Sequence, residues 1–112
     1  MGYPTYDLTF NEFQLRNEER SRTAFPKQCM TPEFLAVGIA GEAGEMCNLV
    51  KKVMRGDFTL EDRREEILDE LADVMTYCDL FMSLLNERTS HRLQTKFNEV
   101  SKRRDYQQFT ER

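Results

Sequence analysis

The chain has 112 residues and a formal net charge of −4, with 39% hydrophobic and 32% charged residues. This length suits one domain with a modest core, and the acidic balance argues against nucleic acid or an anionic membrane as a partner. Cys29, Cys47 and Cys78 form no Cys-x-x-Cys pair, which indicates free thiols in a reducing compartment rather than a disulfide framework or a zinc site.

The chain opens with the segment MGYPTYDLTF, which has no basic stretch followed by an apolar run. No stretch approaches about 18 apolar residues either, so we expect neither a leader nor a membrane span. We therefore expect a cytoplasmic protein. Thr9 followed by Glu12 forms a capping box, which predicts a first helix to about Arg22 with Phe10 and Phe13 as apolar contacts.

Two long helices are predicted next, after a loop. The pair Thr31-Pro32 is a typical helix start, and the second helix is predicted to run from there to Arg55. Gly56 can then adopt the left-handed conformation that ends a helix. Thr59 is predicted to cap a third helix that continues to about Asn86.

A fourth helix is predicted to begin near Thr89-Ser90, with Leu93, Phe97 and Val100 at i, i+4 and i+7 on one face. The alternation of β-branched residues that is typical of strands is missing from the sequence. We therefore predict a single all-α domain over residues 1–112, a four-helix bundle built around the two long helices, which would run antiparallel.

Four acidic side chains lie at the edges of the apolar faces of the two long helices. On a helical projection, Glu42 enters the apolar arc of the second helix and Glu45 lies at its margin. Glu70 and Asp73 take the corresponding positions on the third helix. The arcs predicted to be buried comprise Leu35, Ile39, Ala43, Met46, Leu49, Val50, Val53 and Met54 on the second helix, and Ile67, Leu71, Val74, Met75, Cys78, Phe81, Met82 and Leu85 on the third.

Carboxylate pairs at i, i+3 on two antiparallel helices would bring four negative charges together, which is unfavourable without a cation. Because neither pair includes a histidine, Mg²⁺, with Mn²⁺ as a possible substitute, is favoured over zinc, iron or copper. The simpler interpretation is that the four acids form ordinary ion pairs at the boundary of the core.

The segments Glu42-Ala-Gly-Glu45 and Glu70-Leu-Ala-Asp73, separated by 24 residues, resemble the E-x-x-E and E-x-x-D signature of the MazG-like all-α nucleoside triphosphate pyrophosphatases. The resemblance extends from Phe10 to Tyr106. It implies that Glu42, Glu45, Glu70 and Asp73 bind Mg²⁺, and that a nucleoside triphosphate is cleaved between the α and β phosphates to a monophosphate and pyrophosphate. It also implies a role in nucleotide-pool control or house-cleaning, with a deoxynucleotide as the expected substrate.

The same resemblance suggests further candidate residues for catalysis and phosphate binding. Glu45 is the candidate for orienting or deprotonating the attacking water, although the sequence leaves open which carboxylate does so. Lys52, Lys96 and Arg103 are candidates for binding the β and γ phosphates, or else are surface charges packed over apolar residues. Asn98 belongs to the resemblance but projects away from the apolar face of the fourth helix.

The base of the nucleotide is expected to contact the first helix and the loop after it. Gln14 can both donate and accept hydrogen bonds there, and Phe10, Phe13 or Phe25 can stack on a base or simply belong to the core. The sequence does not indicate which base or sugar is preferred.

Members of the resembled family are usually dimers or tetramers whose active site is completed across subunits. The broad apolar arcs and their methionines suit such contacts, so a homodimer or homotetramer is expected. The alternative from a different class is a non-catalytic helical protein-interaction module whose carboxylates form structural ion pairs. A third possibility is an enzyme that acts on another phosphoanhydride at the same site.

Overall fold

The computed structural model describes residues 8–110, so most of the opening segment and the expectation about a leader lie outside the described range. Residues 8–110 form four α-helices and two short 3₁₀ turns, without a β-strand. The predicted all-α class with four helices is confirmed. None of the described helices is long and apolar enough to cross a bilayer.

The four helices occupy nearly the positions that their capping residues predicted. Thr9 accepts a hydrogen bond from the N–H of Glu12 at 3.1 Å, and Thr31 accepts one from the N–H of Phe34 at 3.2 Å. Gly56 ends the second helix in the left-handed conformation, with φ 88°. The bounds are Phe10–Ala24 for α1, Pro32–Arg55 for α2, Arg64–Leu84 for α3 and Thr89–Arg103 for α4.

The start of α3 differs from the prediction by about one turn. Thr59 accepts a hydrogen bond from the N–H of Asp62, and the Asp62 carboxylate accepts one from the N–H of Thr59, at 3.1 and 2.9 Å. This reciprocal pair caps a 3₁₀ turn at Glu61–Arg63, and the α-helix begins only at Arg64. The capping residue was identified correctly, but it caps the turn that precedes α3.

The central pair of helices, α2 and α3, runs antiparallel as predicted. Gly38 lies against the ring of Tyr77, whereas Glu42 lies close to Glu70, so residue numbers rise along α2 as they fall along α3. A Cβ atom built on Gly38 would lie 2.8 Å from Cε1 of Tyr77. Glycine at this position therefore allows the tyrosine ring to pack directly on the α2 backbone.

Buried polar side chains join α1 to α3 and α4. The amide of Gln14 donates to the backbone oxygen of Glu87 at 2.8 Å and accepts from the N–H of Thr89 at 2.9 Å, which satisfies a backbone donor at the start of α4. Asn17 and the Thr89 hydroxyl both donate to the buried carboxyl group of Asp79, at 3.0 and 2.5 Å. These hydrogen bonds join α1 and α4 to each other and to the central pair.

The apolar core within one chain is small. Among the described residues, the buried hydrophobic side chains are Leu35, Ile67 and Leu80, while Met54 and Met75, both predicted to be buried, are 84% and 60% exposed. The radius of gyration is 16.9 Å, compared with about 13 Å for a compact chain of about 100 residues. The prediction of two fully buried arcs is therefore wrong for the single chain, because no described element covers the outer parts of those faces.

Candidate metal site between α2 and α3

Three acidic side chains converge where α2 and α3 pack together. Glu42 and Glu45 come from α2 and Glu70 from α3, and each places a carboxylate oxygen within 4.8 Å of the other two. The i, i+3 spacing puts the two α2 carboxylates on one side of the helix, and the antiparallel packing brings Glu70 to the same side. The site is thus built from two rigid helices rather than from loops.

Glu70 is the most strongly perturbed group of the three. Its pKa is raised from 4.5 to about 7, first by a hydrogen bond shared with Glu42, then by burial, and then by a hydrogen bond with Glu45 and the charges of both neighbours. All of these causes act in the same direction. Its Oε2 atom is also buried without a hydrogen-bond partner. A carboxyl group in this position requires either a proton or a cation.

The chemistry of the three side chains fits a hard divalent cation. The cluster offers carboxylate oxygens and neither nitrogen nor sulfur, which is the donor set that Mg²⁺ or Mn²⁺ prefers. A cation beside the unpartnered oxygen of Glu70 would favour its ionised form and so oppose the causes that raise its pKa.

The fourth predicted ligand, Asp73, lies outside this cluster. It is exposed on α3, one turn beyond Glu70, and lines an adjacent cavity. The pKa of Tyr77 in the same cavity is raised by burial and then by the charges of Glu42 and Asp73. Asp73 therefore lies near the carboxylates, and its role as a metal ligand stays a prediction.

The predicted phosphate-binding cations lie on two different helices. Lys52 is half-buried on α2, whereas Lys96 and Arg103 are exposed on α4. These two approach the same residue of their own helix, Glu99, at 3.5 and 3.9 Å. Their contacts with phosphate stay predictions, and exposed pairs of this kind are weak enough to give way to a stronger anion.

Two amide side chains that were predicted to bind substrate are engaged in the fold. Gln14 is 4% exposed and holds the start of α4 as described. Asn98 donates to the backbone oxygen of Phe109 at 2.9 Å and accepts from its N–H at 2.8 Å, which fixes the segment after α4. Both amides thus hydrogen-bond to other parts of the chain, and their contact with substrate stays a prediction.

A cavity of about 270 Å³ lies beside the carboxylates, enclosed by α1, the 3₁₀ turn after it, α2 and α3. Its wall includes Asn17 and Ser21 from α1, together with Phe34 and Tyr77 from the central pair. Phe25 also lines the cavity, as one of the three aromatic residues predicted to stack on a base. Phe10 and Phe13, the other two, are not part of its wall.

Sequence reasoning missed Asn17 and Tyr77 as wall residues. A signal for the first was present, because Gln14, Asn17 and Ser21 stand at i, i+3 and i+7 and form an uncharged polar stripe on α1. All three are buried. Tyr77 lies one turn beyond Asp73 on the same edge of α3, so it could have been grouped with the acidic residues.

Comparisons with known proteins give one informative similarity. The chain is 36% identical over 73 residues to the Gene 37 protein of Mycobacterium phage L5, an alignment that covers 56% of this chain and 63% of the phage protein. The chain thus spans less than two thirds of that relative. No protein-family model matches the chain. No solved structure matches it significantly.

Proposed function

We propose that the chain is an Mg²⁺-dependent nucleoside triphosphate pyrophosphohydrolase of the MazG-like type, releasing a nucleoside monophosphate and pyrophosphate. The observation that carries this proposal is the convergence of Glu42, Glu45 and Glu70, with a buried Glu70 oxygen that has no partner. The resemblance of the two acidic motifs supplies the reaction class. Mg²⁺ prefers oxygen ligands, and the three carboxylates provide them.

Each carboxylate has a proposed role. Glu42, Glu45 and Glu70 would hold the ion, with Asp73 as the proposed fourth ligand. When bound, Mg²⁺ would neutralise phosphate oxygens and lower the pKa of a water molecule. Glu45 is the most accessible member of the cluster and would accept the proton of the attacking water. The water oxygen then bonds to the α-phosphorus, the bond from that phosphorus to the bridging oxygen breaks, and pyrophosphate leaves.

The same proposal includes the assembly and the setting of the enzyme. A homodimer or homotetramer would cover the exposed apolar sides of α2 and α3, and would bring Lys52, Lys96 or Arg103 of a neighbouring subunit towards the phosphates. A deoxynucleoside triphosphate is the proposed substrate, in nucleotide-pool control or house-cleaning. The three free cysteines support a reducing, cytoplasmic setting.

A panel of nucleotides tests the reaction directly. The full chain is incubated with each ribo- and deoxynucleoside triphosphate and Mg²⁺, and the products are separated by chromatography. We expect equal amounts of monophosphate and pyrophosphate from at least one triphosphate, and none in the presence of a chelator. No turnover of any nucleotide, or release of orthophosphate with a diphosphate, would contradict the proposal.

Substitutions within the acidic pairs test the site. Glu42→Gln and Asp73→Asn should each lower kcat by at least about a hundredfold, because each removes a negatively charged ligand. Glu65→Gln is the matched control, since this exposed carboxylate also lies on α3 but, five residues before Glu70, points about 140° away from it around the helix axis. Circular dichroism should show equal helix content in all three variants. Full activity in Glu42→Gln would place the metal elsewhere.

A second candidate function is favoured by the exposed apolar surface. Leu68, Leu71 and Met75, at i, i+3 and i+7 of α3, are 42%, 40% and 60% exposed, which is unusual for a monomeric protein. A non-catalytic helical interaction module would present such a surface to a different protein. The nucleotide panel separates the two candidates, because the module would show no turnover.

A further inference from the structure

We propose that the cavity between α1, α2 and α3 binds the base of the nucleotide, and that the carbonyl oxygen of Asn17 selects a base edge that offers an N–H donor. This inference rests on the proposed function, whose phosphates would lie at the neighbouring carboxylates. It assigns the recognition of the base to residues that the acidic motifs do not include.

The first argument is an unsatisfied buried acceptor on a residue that lines the cavity. Asn17 is 3% exposed, and its Nδ2 donates to the backbone oxygen of Thr76 at 3.1 Å and to Asp79 at 3.0 Å. Since both partners are acceptors, the orientation of the amide is fixed with its NH₂ group towards them. The Oδ1 atom is then left buried without a hydrogen-bond partner. Buried carbonyl groups are almost always paired, so a donor is missing from this site.

The second argument is the shape and lining of the cavity. The rings of Phe34 and Tyr77 stand 6.4 Å apart at 56° to each other, and Phe25 is half exposed at the rim. The Tyr77 ring is held in place because it packs against Gly38. A cavity of about 150 Å³ is enough to hold benzene, so about 270 Å³ suits a single-ring base with part of its sugar. Aromatic faces bind such rings by stacking.

The third argument is the position of the cavity relative to the carboxylates. Glu70, Asp73 and Tyr77 stand at i, i+3 and i+7 along one edge of α3, and the last two line the cavity. Seven residues of helix span about 10 Å, which is about the length of a nucleoside monophosphate. A base in the cavity and a phosphate at the cluster therefore belong to one ligand.

The donor can be the ring N3–H of uracil or thymine, or the amino group of cytosine, and the experiment separates them. Uniformly ¹⁵N-labelled full-length protein is titrated without metal with deoxyuridine, thymidine and deoxycytidine, and the side-chain amide signals of Asn17 are followed. We expect saturable shifts with at least one nucleoside. N3-methylthymidine and N4,N4-dimethyldeoxycytidine, which lack the donor, should bind at least tenfold more weakly than their parents.

Equal binding of a methylated nucleoside and its parent would overturn the inference. The hydrogen-bond donor is removed from the ligand, and Asn17 is left unchanged because its amide also stabilises the fold. A protein variant adds a second readout: Phe25→Ala should weaken nucleoside binding severalfold, whereas Phe10→Ala should leave it unchanged. Both residues are about half exposed at opposite ends of α1, and only Phe25 lines the cavity. Equal effects of the two variants would also overturn the inference.

These outcomes are distinguishable from failure of the proposed reaction, because nucleosides carry no phosphate and the titration contains no metal. Hydrolysis of triphosphates together with indifference to base methylation would refute the Asn17 assignment alone. Donor-dependent nucleoside binding without any triphosphate turnover would support the cavity assignment and refute the hydrolase.

Discussion

At the scale of single residues, Glu70 links the charge of the site to the stability of the fold. Its pKa is about 7 in the folded chain and near 4.5 when free, so between these values the folded state holds a proton that the unfolded state has lost. The stabilisation from this proton is complete below pH 4.5 and is lost as the pH rises through 7. The metal site is therefore most costly to maintain when it is fully ionised and empty.

We predict that the Tm of the metal-free protein contains a contribution from Glu70 that decreases as the pH is raised from 5.5 to 8. Glu70→Gln should show a flatter profile of Tm against pH and a higher Tm at pH 8, because the amide cannot ionise. Scanning calorimetry with a chelator checks this, with Asp69→Asn as the control. Parallel profiles for the parent protein and Glu70→Gln would contradict it.

Glycine has a defined purpose at one of three positions in α2. A side chain at Gly38 would collide with Tyr77, whereas a Cβ at Gly41 or Gly44 would meet no atom within 4 Å among the described residues. Gly38→Ala should lower stability by about 1 kcal/mol, because crowding of the ring outweighs the gain in helix propensity. Gly44→Ala should instead raise it by up to about 1 kcal/mol. Chemical denaturation measures both, and an equal gain in the two variants would contradict the assigned role of Gly38.

At the scale of elements, a few buried hydrogen bonds contribute to the attachment of α1 and α4. Asp79 is 3% exposed and accepts from both Asn17 and Thr89, so it ties three helices together. Loss of one partner would leave a buried acceptor unsatisfied, which is more costly than the absence of the pair.

We predict that Thr89→Val destabilises the protein by about 1–3 kcal/mol, because it removes the hydroxyl donor to Asp79 while keeping the shape of the side chain. Thr89→Ser keeps that donor and should recover most of the loss. Ser90→Ala, which removes a hydroxyl that donates to the exposed Asn11, serves as the surface control. Urea unfolding measures the free energy of unfolding of the three variants. Equal values for Thr89→Val and Thr89→Ser would contradict the proposed role of the Thr89 hydroxyl.

The helix ends were predictable and the network was not, for a physical reason. A cap such as Thr31 and a stop such as Gly56 act on neighbours within four residues, so their chemistry is visible in the local sequence. Gln14 and Asn17 meet partners more than 55 positions away. Their polar character looks like that of a solvated surface until the helix that covers them is known.

At the scale of the whole molecule, a single chain leaves much apolar surface in solvent. The projection of α2 and α3 identified which residues are apolar and face one side, and it also brought Glu42, Glu45 and Glu70 to a common edge. It did not show what covers that side, because a hydrophobic stripe is the same whether its partner belongs to the same chain or to another copy.

We predict that the protein is a homodimer or homotetramer at micromolar concentration, with a Tm that rises with concentration. Met75→Lys places a charge on the exposed apolar surface that Leu68, Leu71 and Met75 form on α3. It should shift the sedimentation profile towards monomer. Asp69→Asn makes the same change in net charge on the opposite side of α3 and should leave assembly intact. A parent protein that sediments only as monomer would contradict the prediction.

The small number of buried apolar side chains also determines how heat and denaturant act on the molecule. Leu35, Ile67 and Leu80 are the buried hydrophobic residues of the described chain, so unfolding an isolated chain exposes less new apolar surface than unfolding a compact domain of the same length. Its heat-capacity increment should fall below the usual value of about 12–15 cal/mol/K per residue. The remaining heat capacity and denaturant sensitivity would then accompany association, so the temperature of maximum stability would be a property of the assembly.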